Sequence, residues 1–123
     1  MNNTVECYTD ASYSQFIKTS VVGYKIGNRK IILETLVDIK NTQAELYAVQ
    51  KCIEICSQHY PDKNIIIYTD CQKAVQNYEN EVYPKYVKLI KVDGHKKSIL
   101  RDHNDKIFNL VDKATRKELR RLN

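Results

Sequence analysis

A continuous apolar run near the middle of the chain restricts the possible folds more than any other segment. Residues 65–68 are three isoleucines and a tyrosine, without a charged side chain among them. Such a run is typical of a central strand that helices cover on both faces. The pair Thr69-Asp70 ends the run. The chain is therefore expected to place helices on both sides of a sheet.

Three β-rich segments precede this run. Residues 4–10 alternate between two faces, so Asp10 is expected to end the first strand. Residues 18–25 and 29–38 form two further runs, and Gly27-Asn28 between them can supply the positive φ of a tight turn. Three antiparallel strands are the natural assembly of these segments.

Helical patterns alternate with the later strands. A first helix, which Asn41 or Thr42 can cap, is predicted to run to about Ser57. A short second helix is predicted over 72–77 and a closing helix from Asn104. A last strand is predicted over 86–92. The order βββαβαβα implies an α/β fold with a five-stranded mixed sheet, in which two parallel strands follow the three antiparallel ones. Ligands then belong at the carboxyl ends of the parallel strands.

Size and charge narrow the class of protein. With 123 residues and 42% hydrophobic residues, one domain spanning 1–123 is expected. A formal charge of +5 suits a polyanionic partner. The sequence has neither an apolar run of about 18 residues nor a signal-peptide start, so we expect a cytoplasmic protein without a membrane partner. The four cysteines lack the spacing of a secreted disulfide framework, and reduced thiols are expected.

Three acids are expected to meet at one edge of the sheet. Asp10 and Asp70 both follow a Tyr-Thr pair at a strand end, and Glu45 is expected in the first turn of the first helix. Any one of them alone is equally well explained as a cap or a solvated loop residue. Together, carboxylates within about 6 Å repel one another unless a cation neutralises them. Oxygen ligands favour Mg²⁺ or Mn²⁺, and two such ions can activate water and stabilise the leaving oxygen of a phosphodiester.

The sequence resembles the type 1 ribonucleases H in motifs that span nearly the whole chain in the family's order. The similar segments are Tyr8–Ser12 in the first strand, Thr42–Ala48 in the first helix, Tyr68–Gln72 after the fourth strand, Val92–His95 after the last strand and Val111–Arg116 in the closing helix. The resemblance implies a ribonuclease H-like fold. It also implies an endonuclease that hydrolyses the RNA strand of RNA–DNA hybrids with little sequence specificity, using two Mg²⁺ ions that Mn²⁺ can replace.

The resemblance implies roles for particular residues. The metal ligands it implies are Asp10, which both ions share, and Glu45, Asp70 and Asp112. His95, on the loop after the last strand, would assist proton transfer or release of the cleaved strand. Asp105 competes with Asp112 for the fourth ligand position, because it lies seven residues earlier on nearly the same helical face. The flanking residues favour Asp112.

Substrate contacts are expected around these acids. The residues expected to touch the hybrid are Ser12, Tyr13, Asn41, Thr42, Cys71, Gln72, Lys96 and Lys97. Only a short connection fits between Asp70 and the last strand, so the family's extra helix and basic protrusion are expected to be absent. Other cations, or a protein partner, would then supply part of the binding. The sequence also departs from the family at Ala11, where Gly is common, and at Cys71, where Ser is usual.

Two other functions remain open from the sequence. A catalytically silent module could keep this fold to bind hybrids or duplexes, although the presence of all four acids argues against it. A related nuclease on the same fold could act on DNA. A test for metal-dependent turnover would distinguish the silent module from an enzyme. A comparison of hybrid with all-DNA substrates would distinguish the DNA-directed nuclease from one that acts on hybrids.

Overall fold

The fold is a mixed five-stranded sheet with helices on both faces. The computed structural model describes residues 3–92 and 103–123. The elements are β1 (Thr4–Ser14), β2 (Thr19–Ile26), β3 (Ile32–Val37), α1 (Asn41–His59), β4 (Asn64–Thr69), α2 (Gln72–Glu79), β5 (Val87–Lys91) and α3 (His103–Leu122). The predicted order βββαβαβα is confirmed.

The strands lie in the order β3-β2-β1-β4-β5. The first three pair antiparallel, whereas β1 with β4 and β4 with β5 pair parallel, as predicted. The β1–β4 register sets Tyr8 beside Tyr68. Asp10 and Asp70 each lie two residues further along, so the two acids come level at the carboxyl end of the parallel pair.

The prediction that Asp10 ends a strand is wrong. The antiparallel ladder with β2 continues from the Asp10–Gly23 pair to the Ser14–Thr19 pair, so β1 runs on after β4 has ended. Asp10 instead marks the point at which β1 loses its parallel neighbour. At the acid, β1 therefore pairs with β2 on one side and, within the described residues, with no strand on the other.

The start of α1 also differs from the prediction. The helix begins at Asn41, Lys40 occupies the N-cap position, and its side chain makes no capping hydrogen bond. The predicted cap at 41–42 is wrong because both residues already lie inside the helix. Glu45 is consequently in the second turn, and the first turn carries no acid.

The central apolar run packs on both faces, as expected. Ile65 and Ile67 are buried in the cluster beneath α1, whereas Ile66 and Tyr68 belong to the cluster that α3 covers through Phe108. The four cysteines are free thiols and are buried. Within the described residues, no helix is both long and apolar enough to cross a membrane.

A glycine allows α3 to lie close to the sheet. A Cβ atom on Gly23 would lie 2.7 Å from Cγ2 of Thr115 and 3.1 Å from Cγ1 of Val111. The Oγ1 of Thr115 is 2.8 Å from the hydroxyl oxygen of Ser12, two residues after Asp10. This contact fixes the part of α3 that passes the acids.

Candidate active site

Three carboxylates meet at the carboxyl edge of the sheet. One oxygen each of Asp10, Glu45 and Asp70 lies within 4.8 Å of the others. Asp10 is 4% exposed, and the other two acids are half-buried. The convergence expected from the sequence is therefore present.

Small side chains bring α1 to the acids. Ala11 of β1 packs with Ala44 and Ala48 of α1 in a buried cluster, in which Ala44 and Ala48 are fully buried. Because alanine side chains are short, the helix backbone approaches the strand closely. Glu45, next to Ala44, is thereby held near Asp10 and Asp70. Ala11, which stands where the family commonly has glycine, is therefore part of the packing between α1 and β1.

The cluster raises the pKa values of its members. Burial is the main cause that raises the pKa of Asp10 to about 9, followed by a hydrogen bond with Asp112 and the charge of Asp70. Burial, then the charge of Asp70, raises the pKa of Glu45 to about 7. Without a cation the site retains protons that ordinary carboxyl groups have lost at neutral pH.

Two carboxylate oxygens have the properties of free ligand positions. Asp10 Oδ2 and Asp70 Oδ1 are buried and accept no hydrogen bond from the residues that the structure describes. A buried acceptor without a partner is costly, so a group that satisfies both oxygens would be stabilising. An all-oxygen donor set fits a hard divalent cation such as Mg²⁺.

Asp112 lies beside the trio and Asp105 lies elsewhere. The hydrogen bond to Asp10 and the shared cleft place Asp112 next to the first acid, although it is outside the compact trio. Its Oδ1 accepts a hydrogen bond from Nε of Arg116 at 3.1 Å. Asp105, in the first turn of α3, is not among the described residues that line this cleft. Seven residues correspond to about 10 Å along a helix, which explains the separation.

The acids open into a cleft of about 550 Å³. Its lining consists of Asp10, Ala11, Ser12, Tyr13, Asn41, Glu45, Asp70, Asp112, Arg116 and Leu119. Three of the expected substrate contacts, on β1 and at the start of α1, therefore border the acids. The lining by Leu119 was not foreseen. The Arg116–Asp112 ion pair could have been predicted from the sequence, since side chains of opposite charge four residues apart on a helix lie next to each other.

The other expected contacts lie outside the cleft lining. Cys71 is 3% exposed, and burial raises the pKa of its thiol to about 11, to which the charge of Glu45 also contributes. Gln72 is exposed and its Oε1 accepts a hydrogen bond from Nζ of Lys91 at 2.7 Å. Thr42 is exposed on the first turn of α1. The predictions for His95, Lys96 and Lys97 fall outside the described residues.

Fold and site together define an α/β protein with three carboxylates gathered at the carboxyl edge of a mixed sheet. The chain belongs to the RNase H family, whose family model matches residues 2–120. Family membership identifies it as a nuclease of the hydrolase class. No curated protein matches the sequence at a significant level.

Solved structures with the same fold are similar to this chain over nearly its full length. One is LC11-RNase H1 in complex with an RNA/DNA hybrid, with 15% identity and a TM-score of 0.63, covering 94% of this chain and 99% of that one. Another is LC11-RNase H1 isolated from compost by a metagenomic approach, with 15% identity and a TM-score of 0.65, covering 95% and 99%. At this identity the likeness establishes the fold.

The connection before the last strand is short, as expected. Residues 80–86 join α2 to β5 and contain no helix. An extra helix with a basic protrusion is therefore absent from this part of the described chain. Cations that bind a nucleic acid must come from other elements.

Proposed function

We propose that the protein is a metal-dependent endonuclease that hydrolyses the RNA strand of RNA–DNA hybrids. The observation that carries the proposal is the trio of Asp10, Glu45 and Asp70, with buried oxygens that lack hydrogen-bond partners. Membership of the RNase H family supports it, as does the RNA/DNA hybrid bound to a structural relative.

Asp10, Glu45, Asp70 and Asp112 would hold the divalent cations. Two Mg²⁺ ions, when bound, would orient an attacking water and stabilise the leaving oxygen of the phosphodiester. The protein contributes a carboxylate cradle whose members lie in β1, in α1, directly after β4 and in α3, so packed elements place the ligands. Cation binding releases the protons that the raised pKa values of Asp10 and Glu45 retain.

The cleft walls would position the hybrid. Ser12, Tyr13 and Asn41 border the acids and offer hydroxyl and amide groups for the minor groove, where 2′-hydroxyls are displayed. Arg116 adds a cation on the opposite wall, where a phosphate of the scissile strand would lie. These groups would contact the sugar–phosphate backbone of the hybrid and respond to its shape, and they would not distinguish its bases. Low sequence specificity is therefore expected. His95 remains a predicted assistant in proton transfer or product release.

Labelled hybrid tests the proposal directly. Cleavage is expected with Mg²⁺ or Mn²⁺ and not with EDTA, and Asp10→Asn is expected to lower the rate at least about a hundredfold, since a ligand common to both ions is lost. Asp62→Asn, an exposed acid on the turn before β4, serves as the matched control. Equal cleavage by wild type and Asp10→Asn would defeat the proposal.

Substrate comparison separates the rival functions. Hybrid, single-stranded RNA, duplex RNA and all-DNA duplex of the same sequence are incubated under identical conditions. Preferential cleavage of the RNA in the hybrid is expected. Preferential cleavage of DNA would identify a DNA-directed nuclease, and binding without metal-dependent turnover would identify a silent module.

A further inference from the structure

A second pocket lies at the other end of α1 from the acid cluster. It has a volume of about 500 Å³ and opens between the start of β1, the β2–β3 turn, the residues after α1 and the start of α3. We call it the basal pocket; its charged and aromatic side chains include Glu6, Lys25, Arg29, Tyr60, Lys63 and His103. The rise of the helix between Glu45 and Tyr60 separates the two sites by about 20 Å.

The basal pocket gathers cations that lack carboxylate partners. Lys25, Arg29 and Lys63 line it, and none of them forms an ion pair within residues 3–92 and 103–123. Glu6 is the carboxylate of the described lining, and its Oε2 accepts a hydrogen bond from the hydroxyl of Tyr68 at 2.8 Å. Positive charges that line one pocket repel one another, and a bound anion would reduce this repulsion.

Two of these cations share one aromatic ring. The guanidinium carbon of Arg29 lies 5.3 Å from the ring centroid of Tyr60, and Nζ of Lys63 lies 5.7 Å from it. Both stand on turns closed by backbone hydrogen bonds, from Arg29 N to the Ile26 carbonyl at 3.0 Å and from Lys63 N to the Tyr60 carbonyl at 3.1 Å. The ring and the turns hold the cations in place before any ligand binds, which lowers the ordering cost of binding.

We propose that the basal pocket binds the phosphate group of a small anionic ligand of nucleotide size. A guanidinium binds two phosphate oxygens through its planar fork, and an ammonium adds a compact point charge. The volume lies within the range of about 300–1,000 Å³ that is usual for small-molecule sites, so it leaves room beyond the phosphate itself. This site is independent of the acid cluster and of the proposed nuclease activity.

Two phosphate probes test the proposal on the full chain. Inorganic phosphate and adenosine 5′-monophosphate are titrated separately in EDTA, while the amide resonances of Gly27, Arg29 and Lys63 are followed. Saturable shifts centred on these residues are expected. Equal affinities assign the site to free phosphate, whereas tighter binding of the monophosphate assigns it to a nucleotide. Shifts that are absent, do not saturate or centre on Asp10 would overturn the proposal.

A pair of lysine variants controls for simple loss of charge. Lys63→Gln is expected to weaken binding about tenfold, the equivalent of one charge-assisted hydrogen bond. Lys51→Gln is the matched control, because Lys51 is also half-buried with Nζ 5.7 Å from a tyrosine centroid, that of Tyr47, outside the basal pocket. If Lys63→Gln fails to fold, Arg29→Gln takes its place, and the same weakening of phosphate binding is expected. Equal weakening by the Lys51 and Lys63 variants would contradict the proposal.

Discussion

Asp10 is the residue at which stability and the proposed function conflict. It is buried, it shares a hydrogen bond with Asp112, and it faces the charge of Asp70, so its ionised form is disfavoured in the metal-free protein. Its Oδ2 has no hydrogen-bond partner among the described residues. The same features that destabilise the free site favour a cation, since a cation satisfies the oxygen and neutralises the charges.

Substitution of Asp10 by Asn should stabilise the metal-free protein at alkaline pH. The pKa of Asp10 is raised from 3.8 to about 9 in the folded state. The folded state therefore binds a proton that the unfolded state has lost, and the stability of the wild type falls as the pH rises from about 4 to about 9. At pH 8, Asp10→Asn is expected to increase the free energy of unfolding by about 1 to 3 kcal/mol.

Urea unfolding in EDTA at several pH values measures this difference. The gap between Asp10→Asn and wild type should widen from pH 5 to pH 9. Asp62→Asn removes an exposed charge and should follow the wild type at every pH. Parallel curves for wild type and Asp10→Asn would show that the pKa of Asp10 is not raised in the folded state, because the carboxyl would then be ionised in both states over this range.

At the scale of elements, the docking of α3 determines where its acid lies. Gly23 of β2 leaves the space that the methyl group of Thr115 occupies, and Ser12 contacts the hydroxyl of the same threonine. Asp112, one turn earlier on α3, is thereby kept beside Asp10. One glycine on a neighbouring strand thus contributes to the geometry of the site.

Gly23→Ala should displace α3, and removal of one methyl group should restore it. The added Cβ would lie 2.7 Å from Cγ2 of Thr115, so the variant is expected to lose about 1 to 3 kcal/mol of stability through overpacking. Thr115→Ser removes Cγ2 and keeps the hydroxyl that contacts Ser12. The double variant is expected to be more stable than the sum of the single effects, by at least about 0.5 kcal/mol. Additive effects in thermal or urea unfolding would contradict this packing argument.

Element types were predictable from the sequence, and several boundaries were not. The alternation of residues 4–10 and the apolar run 65–68 are local patterns, and they specified a strand and a central strand correctly. The extension of β1 to Ser14 depends on pairing with β2, a partner that a local pattern does not reveal. The N-cap of α1 was misplaced because Asn41 is a residue type that favours cap positions. In the structure Asn41 is already the first residue of the helix, and Lys40 occupies the N-cap.

The site was predictable to the same extent. The repeated Tyr-Thr-Asp tripeptides pointed to Asp10 and Asp70, since the parallel pairing of β1 with β4 sets the two tripeptides level. Helical periodicity could not separate Asp105 from Asp112, which share a face. The choice depends on which turn of α3 passes β1, and only tertiary packing fixes that. The basal pocket had no sequence signal, because its cations come from turns far apart in the chain.

For the whole molecule, the acid cluster joins two helices that cover opposite faces of the sheet. Glu45 belongs to α1 on one face and Asp112 to α3 on the other, while Asp10 lies in β1 and Asp70 directly follows β4. A cation held by all four would link both helical layers to the sheet. A cation held by the compact trio alone would not stabilise α3 against local opening.

Hydrogen exchange with and without Mg²⁺ distinguishes these two arrangements. If Asp112 is a ligand, Mg²⁺ should slow the amide exchange that occurs by local opening in both α1 and α3, because each of these openings would remove a ligand from the ion. In Asp112→Asn the protection of α3 should be lost while that of α1 remains. Asp105→Asn, on the same helix and outside the cleft, should retain both. Protection confined to α1 in the wild type would limit the metal site to Asp10, Glu45 and Asp70, and Asp112 would then act on the site through its hydrogen bond to Asp10.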